Sequence, residues 1–154
     1  MAGRIFQLNV SQGGVPKTAV ADAGLGELGL DGDRVANARV HGGPTRALCL
    51  YPLERILALQ EEGNPIFPGA LGENVTLVGV DWDRVVPGAR LALGDAVVEV
   101  TKYAEPCRTT APFVRGDMKC YHQDHRPGWS RVYAAVVRGA RLAPGMPARV
   151  MDAL

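Results

Sequence analysis

Apolar positions along the chain recur in short alternating runs, broken every few residues by glycine or proline. RIFQLNV (4–10) alternates with the period of two that half-buries a strand, KTAVADA (17–23) reads as its partner, and RALCLY (46–51) reads as a further strand. ENVTLVGV (73–80) adds another, and GARLALGDAVVEVTKYA (88–104) reads as two strands that reverse at Leu93-Gly94-Asp95. GARLAPG (139–145) echoes the start of that pair.

The period changes once. PLERILALQEEG (52–63) has Pro52 at the start, Leu53, Ile56, Leu57 and Gln60 at helical spacing, and Gly63 at the stop, which predicts the clearest helix in the chain. NPIFPG (64–69) then has to be a loop, and a second short helix is expected after Cys107. Short strands with one or two short helices predict a mainly β, barrel-like or sandwich sheet, because edges this apolar invite pairing with other chains unless they are closed or covered.

Composition narrows this picture. With 154 residues and 47% hydrophobic content the chain suits one domain, 1–154, and its 19 glycines and 11 prolines are spread too evenly to mark a linker. No apolar run approaches the roughly 20 residues of a membrane helix. Nor does the MAGRIFQLNV start resemble a secretion signal, so the expected location is cytoplasmic, away from membranes. Cys49, Cys107 and Cys120, an odd count at irregular spacing, suit reduced thiols rather than a disulfide framework.

The net charge of +1 conceals an asymmetry: residues 1–101 hold 8 Lys/Arg against 12 Asp/Glu, whereas residues 102–154 hold 9 against 4. Arginine outnumbers lysine 14 to 3, which suits bidentate grip on phosphate or carboxylate, although codon bias gives the same excess. The basic residues are not interleaved with a series of stacking aromatics, so nucleic acid is not the expected partner.

Three stretches carry candidate chemistry. In AEPCRT (104–109), Cys107 follows a proline at the end of a predicted strand, with Lys102 and Arg108 near enough in sequence to favour the thiolate, the form that attacks or binds metal. A cysteine also serves simply as a small buried hydrophobe, the role expected of Cys49 inside RALCLY. In LDGDRVANARVHGGPTRAL (30–48), the Gly42-Gly43 pair allows a turn that presents amides to an anion, and His41 beside it could contact a ligand, move a proton or cap the turn. In KCYHQDH (119–125), Cys120, His122 and His125 are possible zinc ligands at a spacing unlike the usual paired motifs. No P-loop, nucleophile elbow or Schiff-base lysine motif is present.

LDGDRVANARVHGGPTRALCLYP (30–52), FPGALGENVTLVGV (67–80), GARLALGDAVVEVTKYAEPCRT (88–109) and GWSRVYAAVVRGARLAPG (128–145), in this order, resemble the MOSC domain, named after the C-terminal domain of molybdenum cofactor sulfurases. The chain is similar to the short stand-alone YiiM-like bacterial members. The resemblance implies a MOSC-type β-barrel in which the cysteine of the Pro-Cys pair, here Cys107, either coordinates the molybdenum of a pterin cofactor or carries sulfur as a persulfide. It also implies that His41, Asn74, Lys102, Arg108 and Thr109 lie around that cofactor.

Two functions follow as expectations. In one, the protein is a component in the reduction of N-hydroxylated small molecules, fed by an external reductase. In the other, it is a sulfur carrier loaded by a cysteine desulfurase. No intrinsic pyridoxal phosphate, flavin or iron-sulfur centre is expected with either.

Overall fold

The computed structural model describes residues 2–34 and 42–153. Its elements are β1 (Arg4–Val10), β2 (Thr18–Val20), β3 (Ala23–Gly26), β4 (Gly29–Leu30), β5 (Leu48–Pro52), α1 (Leu53–Glu61), β6 (Val75–Val78), β7 (Arg90–Leu93), β8 (Ala96–Tyr103), β9 (Val132–Arg138), β10 (Ala140–Leu142) and β11 (Ala148–Val150). Short 3-10 turns include Pro44–Arg46, Arg108–Phe113 and Met118–Tyr121. The expected second helix after Cys107 is thus a 3-10 turn.

Eight strands form one sheet in the order β11-β7-β8-β9-β5-β6-β1-β2, and a smaller sheet runs β10-β3-β4. The predicted partner of β1 is therefore split, with β2 pairing β1 and β3 crossing to the small sheet. Strands β5 and β6 pair in parallel, which requires a crossover, and α1 supplies it. Strands β7 and β8 form the predicted hairpin, with Leu93 opposite Ala96 across Gly94-Asp95.

Register shifts in the β8–β9 and β1–β6 pairs give the large sheet its bends. The Ile5 N–H donates to Met146 O, Gly145 N–H to Ile5 O and Ala148 N–H to Gly3 O, which draws β1 towards the start of β11. Among the described residues only an isolated bridge between Arg4 and Pro147 joins this seam, and no continuous ladder closes the barrel. The fold is mainly β, as expected, but the sheet is curled rather than closed.

Strict alternation breaks in β1: Ile5 and Leu8, three residues apart, are both fully covered and pack with Leu50, Leu77, Leu91 and Val132 in the main core, because the register shift between Ile5 and Gln7 inserts an extra residue. Each such side chain contributes about 1.5–3 kcal/mol. The helix departs in detail from expectation. Pro52 ends β5 and caps α1 in an extended conformation, and the buried stripe is Ile56 and Leu59, while Leu57 is 49% exposed. The face turned inward is the one that meets Tyr51, Leu71, Val114 and Tyr121 in a second core cluster. That cluster ties the chain after Cys107 to the helix.

Candidate functional site

Strand β8 ends at Tyr103, and the chain runs through Pro106 to Cys107, which precedes the 3-10 turn Arg108–Phe113. The turn fixes the thiol segment. Thr110 donates to Cys107 O from its main chain at 3.0 Å and from its hydroxyl at 2.6 Å, and that hydroxyl also hydrogen-bonds the buried Tyr121 phenol. The Thr109 hydroxyl donates to Cys107 Sγ at 3.3 Å.

Cys107 consequently has a lowered pKa. The side chain of Thr109 contributes first and its main chain second, partial burial opposes them, and the Arg131 charge and the Arg108 main chain add smaller effects in the same direction. The result is a half-buried thiol held towards thiolate, the nucleophilic and metal-binding form.

This sulfur lines a cavity of about 650 Å³ together with Thr109, Thr110, Asn74, Cys49, Tyr133 and the turn glycines Gly42 and Gly43. Asn74 is buried and organises the opposite wall. Its Oδ1 accepts from Cys49 N–H at 3.0 Å, and its Nδ2 donates to Asp33 at 2.9 Å and to Asn9 O at 3.3 Å. Asp33 in turn holds Lys17 at 2.6 Å and accepts from Ser11 N–H at 3.0 Å. Such a connected network, with each donor matched, makes a rigid polar wall.

Of the residues anticipated from sequence, Cys107, Thr109 and Asn74 meet at this cavity, while His41 lies outside the described residues. Lys102 and Arg108 are not in its lining: both are exposed, and the Lys102 ammonium sits 6.0 Å from the Tyr133 ring centroid. The cations that do line it are Lys17, Arg34, Arg46 and Arg131. Three of these four come from the acidic first part of the chain, so proximity to Cys107 in sequence was a poor guide to proximity in space. Sequence reasoning missed Arg131, whose one local signal is a charged residue directly ahead of the apolar run VYAAVV.

The other thiols behave differently. Cys49 is buried as expected and its pKa is pushed up to about 11, chiefly by burial, although it also reaches the cavity wall. Burial raises Cys120 as well. In the 119–125 stretch, His122 accepts from Asp124 N–H and packs edge-on against His125, and no group of three or more metal-ligating side chains gathers among the described residues. Among the same residues no helix is long and apolar enough to cross a membrane.

The chain is similar to known proteins in sequence and in fold. The protein YiiM of Escherichia coli strain K12 is 39% identical over 87 residues, which cover 54% of this chain and 39% of that protein. The uncharacterized protein YflK of Bacillus subtilis is 32% identical over 117 residues, covering 75% of this chain and 52% of that protein. The chain therefore spans about half or less of the length of these curated relatives. The crystal structure of YiiM from Geobacillus stearothermophilus superposes with a TM-score of 0.70 at 26% identity, covering 97% of this chain and 75% of that one. The Escherichia coli YiiM structure gives a TM-score of 0.70 at 24% identity, over the whole of this chain and 71% of that one, a likeness of fold. The family model for the MOSC domain matches residues 37–149, a stretch that takes in every strand from β5 to β10 and the Cys107 turn, and the chain belongs to that family.

Proposed function

We propose that the protein binds a molybdenum-pterin cofactor through Cys107 and serves, in the cytoplasm, as a component in the reduction of N-hydroxylated compounds by an external electron donor. One observation carries this reading: the cavity wall presents a half-buried sulfur that is held towards thiolate, a soft ligand for molybdenum. The donor set fits the cofactor. A single activated thiol leaves the remaining coordination to the sulfur and oxygen atoms of the cofactor, and Arg34 and Arg46 line the same cavity with charge suited to its phosphate, beside Lys17, whose charge Asp33 already holds. A volume of about 650 Å³ falls within the range of roughly 300–1,000 Å³ typical of small-molecule sites.

When bound, the cofactor supplies two-electron redox chemistry; the overall reaction consumes two electrons and two protons per N–O bond, releasing the amine and water. This chain would orient the cofactor, with Cys107 as its ligand, Thr109 holding the sulfur and the Asn74 wall setting the width of the cavity.

The same half-buried thiol supports a second reading, in which Cys107 thiolate attacks the outer sulfur of a desulfurase persulfide, forms Cys107–S–SH and releases the donor thiolate. Purification of wild type and Cys107→Ser from a host competent in molybdenum cofactor synthesis tests both. Molybdenum and pterin roughly equimolar with protein, and absent from Cys107→Ser, uphold the first reading. Cyanide-releasable sulfur lost in the variant, without molybdenum, upholds the second. A wild-type protein with none of these overturns both.

A further inference from the structure

The two walls of the cavity converge on Arg131. This residue directly precedes β9, ahead of the buried Val132-Tyr133-Ala134 run, and is only 4% exposed. One guanidinium nitrogen donates to Leu71 O at 2.7 Å and the other to Glu105 O at 2.8 Å. Leu71 leads into Gly72 and Asn74 on one wall, and Glu105 leads into Pro106 and Cys107 on the other. The Arg131 carbonyl also accepts from Ala104 N–H at 2.9 Å, so the approach to the thiol is held at two points.

The charge of Arg131 is placed with equal care. Its acidic neighbour Glu73 acts on it only through space, and Arg131 Nε and Glu73 Oε1 are the two buried side-chain atoms without a hydrogen-bond partner among the described residues. The guanidinium instead faces Cys49, Tyr121 and Tyr133, with its carbon 5.3 Å from the Tyr121 ring. A buried cation is costly to desolvate, and here its two forked nitrogens are spent on carbonyls of separate segments rather than on a carboxylate.

We propose that Arg131 is the positioning residue of the Cys107 site: its planar fork sets the separation of the Asn74 wall from the thiol segment. This rests on Cys107 being the functional thiol of the proposed function. A lysine at this position keeps the charge but cannot span both carbonyls with fixed geometry, so the alignment of the Thr109 hydroxyl with the sulfur relaxes.

The test measures hydrogen exchange of the segments around Leu71 and Glu105, and the rate of alkylation of Cys107 by iodoacetamide at one neutral pH, in wild type, Arg131→Lys and Arg131→Met, with circular dichroism to establish folding. Both variants are expected to exchange roughly threefold faster or more in both segments and to alkylate Cys107 at a changed rate, and Arg131→Met is expected to depart further. A folded variant with wild-type exchange in both segments overturns the proposal, and if Arg131→Met does not fold, Arg131→Lys decides alone. Neither measurement needs a cofactor, so the two readings separate. Faster exchange in a protein that never takes up molybdenum upholds Arg131 and removes the cofactor reading, whereas lost molybdenum with unchanged exchange overturns the role of Arg131.

Discussion

The Thr109 hydroxyl lies 3.3 Å from the Cys107 sulfur and donates to it, and this bond is the largest contribution to the lowered pKa of the thiol. Thr109→Val keeps the shape and removes the donor, so the pKa of Cys107 should rise. Hydrogen bonds to charged groups contribute about 1.5–3 kcal/mol when shielded, and less beside solvent as here. Alkylation of Cys107 at neutral pH should therefore slow roughly threefold to tenfold in Thr109→Val, with Thr109→Ser restoring it. Thr109 is exposed, so the melting temperature should barely move. An unchanged alkylation rate would remove the hydroxyl from the account of the thiol.

The three cysteines should label in a fixed order. Cys107 is half-buried with a lowered pKa, Cys120 is half-buried with a raised one, and Cys49 is buried with its pKa pushed up to about 11. Because the thiolate is the reacting species, native protein at neutral pH should be modified at Cys107 first, at Cys120 more slowly and at Cys49 only on unfolding. Peptide mapping over a time course reads this directly, and early labelling of Cys49 would mean that the cavity wall opens.

What was legible in the sequence was what local periodicity encodes. β1, the Gly94-Asp95 hairpin and α1 each declare themselves within about ten residues of chain through alternation, turn chemistry or helical spacing. Strand β9 did not, because Val132, Tyr133 and Ala134 are all buried and so present no alternation to read, although the strand lies between β8 and β5 near the middle of the sheet. The site divides in the same way. Cys107 and Thr109 share one turn, whereas Arg131 earns its place through bonds to residues 60 and 26 positions away, and no local pattern records such a contact.

Glu73 makes stability depend on pH. It is fully covered, and its pKa is raised from 4.5 to about 7, chiefly by burial, which outweighs the main-chain bonds and the Thr76 hydroxyl that favour the carboxylate. The Asn9 amide donates to that same Thr76 hydroxyl, which leaves the hydroxyl proton for Glu73 Oε2. Since the folded pKa lies above the unfolded one, the contribution is fully present below about 4.5 and is lost as pH rises through about 7. A shift of this size corresponds to about 3 kcal/mol. Denaturant titrations from pH 5 to pH 8 should show this decline in wild type and a much flatter profile in Glu73→Gln, and equal slopes would show that Glu73 folds ionised.

Gly69 should prove the glycine on which the Lys17 side of the cavity depends. Its φ of 93° is strained for any other residue, and a Cβ there would run into Lys17 O and crowd the Asn9 side chain. Its carbonyl accepts from Lys17 N–H at 2.9 Å, next to the Lys17–Asp33 pair. Gly69→Ala therefore adds backbone strain of about 1–3 kcal/mol to an overpacking cost of similar size. In a domain of this length that lowers the melting temperature by roughly 4–24 °C. Gly43→Ala is the control: φ is 82°, but none of the described residues lies within 4 Å of the added carbon, so only the strain applies. Thermal unfolding of the two variants should rank Gly69→Ala as clearly the less stable. Equal melting temperatures would mean that the Lys17 segment yields to the new methyl group, and that this wall of the cavity is not rigid.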